Sequence, residues 1–298
     1  MNFLSKHFFQ KSTDSALQLN FFRIMFCLTL MLPVILLRLP IGIFQPMPSL
    51  KWIGIVVNAP EPFFHLKISI LMCLLFAAAG IWCRLFLMAG AFLIFLLVSN
   101  AYSFVYDPVS GYMPNDFNLP WETLLILSVS PGVTQMKIKI RNNLKFELTP
   151  TYSWPIHSVC LLIGVSYFAA FFSKMIIGSW SWFDGEILRG YLLEFGLFRS
   201  NASAIWLADQ KVLTDLATLS VLLFESLALI GFLIPKTRLI FGIVGITFHI
   251  LNYQFFGIDF LSKYLPVYLI LVDWATFFDF IKKLNRNTQP AIGAQPKN

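Results

Sequence analysis

Long apolar runs separated by short polar turns fill the chain between Leu19 and Ile281. A helix needs about 20 mainly apolar residues to cross about 30 Å of hydrocarbon. Backbone polar groups find no water there, so runs of this kind must be helical. The pattern predicts an all-α bundle of about eight transmembrane helices, near residues 19–39, 66–82, 85–104, 118–131, 155–177, 212–234, 238–256 and 261–281.

The segments outside these spans are distinct in composition. Residues 1–18 have apolar side chains at helical spacing and predict an amphipathic segment on the cytoplasmic surface. Residues 40–65 are rich in proline and predict an irregular loop. Residues 178–211 are too polar to cross but rich in tryptophan and tyrosine, which favour the headgroup level. We expect them to form one or two interfacial or re-entrant helices at the outer end of a membrane domain covering 19–281, and we expect 282–298 to form a tail.

Charge supports a membrane environment and gives an orientation. Only 12% of the residues are charged, against about a quarter in soluble domains, so the lipid bilayer is the expected partner. The net charge of +7 could suggest nucleic acid in a soluble protein, but here the basic residues gather in loop 132–153, in the turn at 235–238 and in the tail. The positive-inside rule makes that face cytoplasmic. We therefore predict a multi-pass protein of the cell membrane with both termini in the cytoplasm and no nucleic-acid partner.

The four cysteines form no C-x-x-C pair, so neither a zinc site nor a thiol redox centre is predicted, and no metal is expected. Ionisable groups inside spans are better candidates for chemistry, because each costs a few kcal/mol to insert. Four such groups are Arg23, Lys174, Glu225 and His249. Asn252 shares a helical face with His249 at i,i+3 spacing.

Each candidate also has a structural interpretation. Lys174 lies near a helix end and could extend outward to water. His249 and Asn252 could serve only as hydrogen-bond partners between helices. Glu225 could be a counter-ion for Lys174 or for Arg23, and Arg23 could neutralise an acid or a lipid phosphate. In the functional interpretation, Lys174 faces a desolvated cavity, where an amine loses its proton more readily and becomes a general base or nucleophile.

Three stretches from Leu161 to Trp274 carry a resemblance to a known family. They are Ser166-Tyr-Phe-Ala-Ala-Phe-Phe-Ser-Lys174 with the following Trp182-Phe-Asp-Gly185, then Leu222-Leu-Phe-Glu225, and then Phe248-His-Ile-Leu-Asn-Tyr-Gln-Phe-Phe-Gly-Ile-Asp-Phe260. In their order and spacing they resemble the membrane domain of the vitamin K-dependent γ-glutamyl carboxylases and their bacterial relatives, the HTTM family. Leu19-Asn-Phe-Phe-Arg23 also looks like the first-span arginine of that family.

The resemblance implies an enzyme that uses a reduced vitamin K-type naphthoquinone, O2 and CO2. Lys174 matches the base that deprotonates the quinol, and His249 would share in the proton transfer. Asn252, Glu225 and Trp182 would orient the quinone or the substrate. From its own position in the first span, Arg23 is expected to form a structural ion pair. The expected reaction is a carboxylase-like, carbon–carbon bond-forming modification of glutamate in a secreted peptide, which would enter from the extracytoplasmic side.

Two departures from the family pattern leave other functions open. The carboxylases carry a large lumenal region after their spans, whereas this chain has only a short tail there. The family also has a histidine where Asn118 aligns, and an asparagine cannot act as an acid or a base. A non-catalytic partner in the maturation or export of a secreted peptide or toxin is the alternative hypothesis. A transporter ranks below both, since the two repeated halves typical of transporters are not found in the sequence.

Overall fold

The computed structural model describes residues 10–36, 60–101, 118–133, 137–141, 143–147 and 150–287. These residues are mostly helical, in keeping with the predicted all-α class. The α-helices are α1 (Thr13–Leu36), α2 (Pro60–Ala79), α3 (Cys83–Ala101), α4 (Asn118–Val129), α5 (Trp154–Gly178), α6 (Glu186–Phe198), α7 (Ala202–Asp209), α8 (Lys211–Leu233), α9 (Arg238–Phe256), α10 (Leu261–Tyr268) and α11 (Trp274–Asn287). Short 3₁₀ turns cover Ser179–Trp182 and Leu269–Leu271.

Four helices, α1, α5, α8 and α9, are long and apolar enough to cross a membrane, judged by length and composition. Three shorter apolar helical stretches cover Phe63–Ala79, Cys83–Leu97 and Leu261–Leu271. The protein is therefore helical with membrane-compatible spans. The full set of eight crossings stays a prediction.

The predicted last span, 261–281, is wrong as a single helix. Helical structure stops at Leu271, and Val272 is extended, with φ −73° and ψ 124°. Asp273 then begins α11, because its carboxylate accepts hydrogen bonds from the backbone N–H and the hydroxyl of Thr276. An aspartate in this position caps a new helix more readily than it continues an old one.

Two other boundaries differ from the sequence prediction. Residues 1–9 lie outside the described residues, but Lys11–Ser12 form a short strand, β1, and α1 already begins at Thr13. The predicted amphipathic segment 1–18 therefore does not extend to residue 18. The helix α2 begins at Pro60 rather than near residue 66, since proline is well suited to the first turn of a helix.

Four strands form two small antiparallel pairs in the first part of the chain and the predicted basic loop. Strand β2 (Lys137–Arg141) pairs with β3 (Asn143–Glu147), and β1 pairs with β4 (Thr151–Tyr152). The second pair ties the start of α1 to the connection between α4 and α5. Apolar periodicity alone did not predict these strands, because they are too short to show a pattern.

The exposed and buried faces of helix α8 differ in their residue composition. Its outward stripe is apolar and exposed, and consists of Val212, Leu216, Leu219, Leu223, Leu227 and Ile230. Its inward stripe contains polar and small residues along with apolar ones, and consists of Thr214, Thr218, Leu222, Glu225, Ala228 and Phe232. A water-soluble helix would have polar residues on the exposed face, so this arrangement suits a helix in lipid.

One end of the bundle collects the segments that are rich in basic residues. Asn20 of α1 donates to the carbonyl of Gly132, and Gln18 donates to the carbonyls of Ile270 and Val272. Arg238, after the turn between α8 and α9, hydrogen-bonds His157 in the first turns of α5 at 2.5 Å. We call this the basic end. It was predicted to be cytoplasmic, and which side of a membrane it faces stays a prediction.

The opposite end, which we call the capped end, is covered by α6 and α7. Asn201 caps α7 through Ser203 and Ala204 and also donates to the carbonyl of Gln254 near the end of α9, at 2.7 Å. Arg199 donates to the carbonyl of Phe256. The predicted helices within 178–211 are thus present as two helices anchored to the last turn of α9.

Candidate functional site

The ammonium group of Lys174 contacts both carboxylate oxygens of Glu225, at 2.5 and 2.7 Å. Lys174 lies on α5, one turn before its end, and Glu225 lies on the inward stripe of α8. The lysine side chain is 21% exposed and the glutamate side chain 2%. Of the two charged groups, the lysine is therefore the one that a ligand could reach.

Close helix packing makes this ion pair possible. Gly164 lies on α5 against the backbone of α8, where an added Cβ would be 3.0 Å from the Cα of Leu229. Small residues at such contacts let two helix backbones approach closely in lipid. With α5 and α8 packed together, Lys174 and Glu225 on the two helices come within hydrogen-bond distance.

Trp182 completes the surroundings of Lys174. The lysine ammonium lies 5.4 Å from the centre of the Trp182 ring, within range for a cation–π contact. Trp182 follows α5 in the 3₁₀ turn that leads to the capped end. The two sequence candidates Lys174 and Glu225 are thus brought together with Trp182 at this end.

His249 belongs to a second polar group, the tyrosine relay formed by His249, Tyr167 and Tyr268. The Nε2 atom of His249 lies 2.7 Å from the hydroxyl of Tyr167, which also hydrogen-bonds the hydroxyl of Tyr268. All three side chains are buried, at 3, 5 and 4% exposure. They come from α9, α5 and α10, so the relay links three separate helices.

Gly245 on α9 lets the hydroxyl groups of the tyrosine relay pack directly against that helix. An added Cβ at this glycine would clash with the hydroxyl of Tyr268 and lie 3.2 Å from the hydroxyl of Tyr167. Gly245 precedes His249 by four residues, or about one helical turn. The missing side chain therefore leaves the space that the two hydroxyl groups occupy.

The two polar groups share helices but are distinct. Tyr167 and Lys174 are seven residues apart on α5, which places them about two turns apart on one face. Phe224, the neighbour of Glu225, packs edge-on against Tyr167 with ring centres 4.8 Å apart. Neither group makes a direct hydrogen bond to the other among the described residues.

Asn252 makes no side-chain hydrogen bond to either of these groups within the part of the chain that the structure describes. Asn252 lies on α9 three residues after His249 and is partly buried. Asn118 is the first residue of α4, at the end of that helix away from the basic end. The predicted orienting role of Asn252 stays a prediction.

Arg23 lies apart from the other candidates. It is 3% exposed at the basic end, where its Nη1 donates to the carbonyl of Val133 and to the Sγ of Cys83, both at 3.1 Å. Among the residues that the structure describes, Arg23 forms no ion pair and its Nε has no hydrogen-bond partner. Of the two counter-ions considered for Glu225, the structure selects Lys174.

Tyr167 and Tyr268 are members of the site that the sequence pattern did not predict. Tyrosines are common in membrane helices, so neither stood out alone. The spacing of Tyr167 to Lys174 was a usable signal, because seven residues bring two side chains onto one helical face. Tyr268 had no such signal, since its partner lies 101 residues away.

In the described part of the chain, no group of three or more His, Cys, Asp or Glu side chains is arranged so that it could hold a metal ion. Comparison with protein-family models, curated proteins and solved structures finds no match to this chain.

Proposed function

We propose that this protein is a membrane enzyme of the γ-glutamyl carboxylase type, with Lys174 as its base. It would use a reduced quinone and O2 to drive the modification of glutamate in an extracytoplasmic peptide, with CO2 as the carbon source. It would reside in the cell membrane with its basic end toward the cytoplasm. The observation that carries the proposal is the Lys174–Glu225 pair, with the ring of Trp182 beside the lysine.

Burying an ion pair between two membrane-compatible helices costs free energy, and ionisable residues in such helices usually serve a function. Glu225 offers Lys174 two acceptor oxygens within hydrogen-bond distance, so a proton on Nζ can pass to a carboxylate oxygen without leaving the pair. That transfer leaves a neutral amine next to a neutral carboxylic acid. A neutral amine on the more exposed member of the pair is what a general base requires.

The chain's own residues suit a quinone in two respects. The Nδ1 atom of His249 is buried and has no hydrogen-bond partner among the described residues, so a ligand oxygen would satisfy it. Aromatic rings surround the imidazole, with Tyr264 at 5.1 Å and Phe260 at 5.8 Å between ring centres. A bound naphthoquinol would, with O2, supply the strong base that abstracts the glutamate γ-proton.

A turnover assay tests this proposal. Purified protein in lipid nanodiscs is given reduced 2-methyl-1,4-naphthoquinone, a short glutamate-containing peptide and labelled bicarbonate. We expect quinol-dependent O2 uptake and label in the peptide, both abolished by Lys174→Ala. The matched control is Lys211→Ala, which removes a 60% exposed lysine that is also ion-paired but lies on the surface of the capped end. Absence of turnover in the wild type, or full turnover in Lys174→Ala, would contradict the proposal.

One observation favours the alternative of a non-catalytic partner in peptide maturation. Glu225 engages Lys174 with both oxygens, as a purely structural ion pair would. Replacing such a pair by two apolar residues often preserves folding. A Lys174→Met/Glu225→Met double variant that still supports maturation of a secreted peptide in cells would favour this alternative.

A further inference from the structure

One ring nitrogen of His249, the Nδ1 atom, is buried and has no hydrogen-bond partner among the described residues. The side chain is 3% exposed, and its Nε2 is bound to the Tyr167 hydroxyl. Buried polar atoms in native proteins almost always have a partner in the protein, in water or in a ligand.

The hydrogen bonds of the tyrosine relay determine whether the Nδ1 atom of His249 is a donor or an acceptor. Tyr268 makes no hydrogen bond among the described residues other than the one to Tyr167, so its single proton has one available acceptor, the Tyr167 oxygen. Tyr167 must then give its own proton to Nε2 of His249. An imidazole that accepts at Nε2 is neutral and carries its proton on Nδ1. The unpartnered atom is therefore a donor.

The opposite tautomer, with the proton on Nε2 of His249, would leave one buried donor without an acceptor. If Nε2 carried a proton, it would donate to Tyr167, Tyr167 would donate to Tyr268, and the Tyr268 proton would be buried without an acceptor. Leaving a buried donor unpaired costs about 1–3 kcal/mol. A charged imidazolium meets the same obstacle, because it too would donate from Nε2.

We infer that the Nδ1–H of His249 is the donor of a binding site for a carbonyl oxygen on an apolar ligand that enters from the bilayer. The ligand must accept a hydrogen bond, since the site supplies only a donor at that position. A largely apolar ligand fits the surroundings, since the rings of Phe248, Phe260 and Tyr264 lie within 6 Å of the imidazole centre. Carbonyl groups of this kind occur in quinones and in the acyl esters of lipids. The quinone case rests on the proposed function, whereas the lipid case does not.

The tautomer can be measured without any ligand. The protein contains four histidines, at positions 7, 65, 157 and 249. Solid-state NMR of ¹⁵N-histidine-labelled protein in lipid, with His249→Gln to assign the signal, should show a protonated Nδ1 and an unprotonated Nε2 for His249. Should His249→Gln not fold, loss of the other three signals in single variants assigns the fourth. A protonated Nε2 would overturn the inference.

The ligand is tested with two carbonyl-labelled probes, ¹³C-carbonyl 2-methyl-1,4-naphthoquinone and ¹³C-carbonyl methyl oleate, by infrared difference spectroscopy. A hydrogen bond from Nδ1–H should move the carbonyl stretch of a bound probe to lower frequency. The shift should persist in His65→Gln, an exposed-histidine control, and vanish in His249→Phe.

The outcomes separate the two proposals. A shift with the quinone or with the ester, lost in His249→Phe, supports the inference and identifies the source of the carbonyl. No shift with either probe, or a shift unchanged in His249→Phe, overturns it. A His249-dependent quinone shift without turnover would contradict the proposed function alone. Turnover without a His249-dependent shift would contradict this inference alone.

Discussion

The Nζ atom of Lys174 lies 2.5 and 2.7 Å from the two carboxylate oxygens of Glu225, across the contact between α5 and α8. The residues are 51 positions apart in the chain and are the two opposite charges that the inner surfaces of these helices share. Because the lysine is partly exposed and the glutamate is not, the pair is asymmetric. Removing the lysine would leave the Glu225 carboxylate buried at 2% exposure without its counter-ion. Substitutions of the two residues can therefore test what the pair contributes.

Removing one member of the pair should cost more than removing both. Glu225→Gln leaves the Lys174 ammonium without its carboxylate, and Lys174→Met leaves the carboxylate buried alone. Each should lower the free energy of unfolding by up to about 3–5 kcal/mol, whereas Lys174→Met/Glu225→Met should stay near the wild type. Thermal unfolding of detergent-solubilised protein measures the difference. A loss in the double variant equal to the sum of the two single losses would show that the pairing itself contributes little.

Gly245→Ala should disturb the tyrosine relay. An added Cβ would clash with the Tyr268 hydroxyl, so α10 or the tyrosine must shift. We expect a loss of about 1–3 kcal/mol in stability and a changed His249 signal in ¹⁵N NMR. The control is Gly190→Ala on α6, where a Cβ meets nothing within 4 Å and helix propensity should make the change neutral or stabilising. A Gly245→Ala protein with wild-type stability and spectrum would argue against tight packing here.

Gly164→Ala should weaken the contact between α5 and α8. The new Cβ would be 3.0 Å from the Cα of Leu229, and backbone atoms cannot rotate away as side chains do. A loss of about 1–3 kcal/mol is expected in the unfolding transition. Gly90→Ala on α3 is the matched change, because its Cβ would be 3.5 Å from the Cβ of Cys73, an ordinary contact. Similar effects of the two substitutions would contradict the packing argument.

Asn201→Ala should loosen the capped end. It removes the N-cap of α7, worth about 0.5–2 kcal/mol, and the hydrogen bond to the Gln254 carbonyl. Hydrogen exchange should rise in α6 and α7 with little change in α8. Ser203→Ala changes an exposed side chain in the same turn and leaves the backbone N–H that Asn201 caps, so its exchange should match the wild type. Unchanged exchange in Asn201→Ala would mean that other contacts hold these helices.

The orientation can be tested with single cysteines. The four native cysteines are buried, which keeps the background low. Ser203→Cys at the capped end should react with a membrane-impermeant maleimide in intact cells. Lys236→Cys, in the turn at the basic end, should react only after permeabilisation. The reverse pattern would invert the predicted topology, and labelling of both in intact cells would show that the two ends do not lie on opposite sides of the membrane.

Much of the architecture was predictable because it depends on local patterns. Apolar runs of sufficient length identified α5, α8 and α9 to within one residue and located α1, which begins earlier than predicted, since a helix in lipid must be apolar along most of its length. The tryptophan-rich segment 178–211 was correctly expected to form separate helices. The same logic failed at Asp273, where hydropathy continues across a helix break and a capping carboxylate decides the backbone course.

The sequence by itself determined where the long apolar helices lie, which of their faces carry polar groups and which loops hold the positive charge. Only the tertiary structure decided that Glu225 pairs with Lys174 rather than Arg23, and that Tyr167 and Tyr268 reach His249. Helical periodicity gives the face on which a side chain lies but does not say which helix that face will meet. That choice depends on contacts between residues 51 to 101 positions apart, such as those allowed by Gly164 and Gly245, and it appears only when the helices pack.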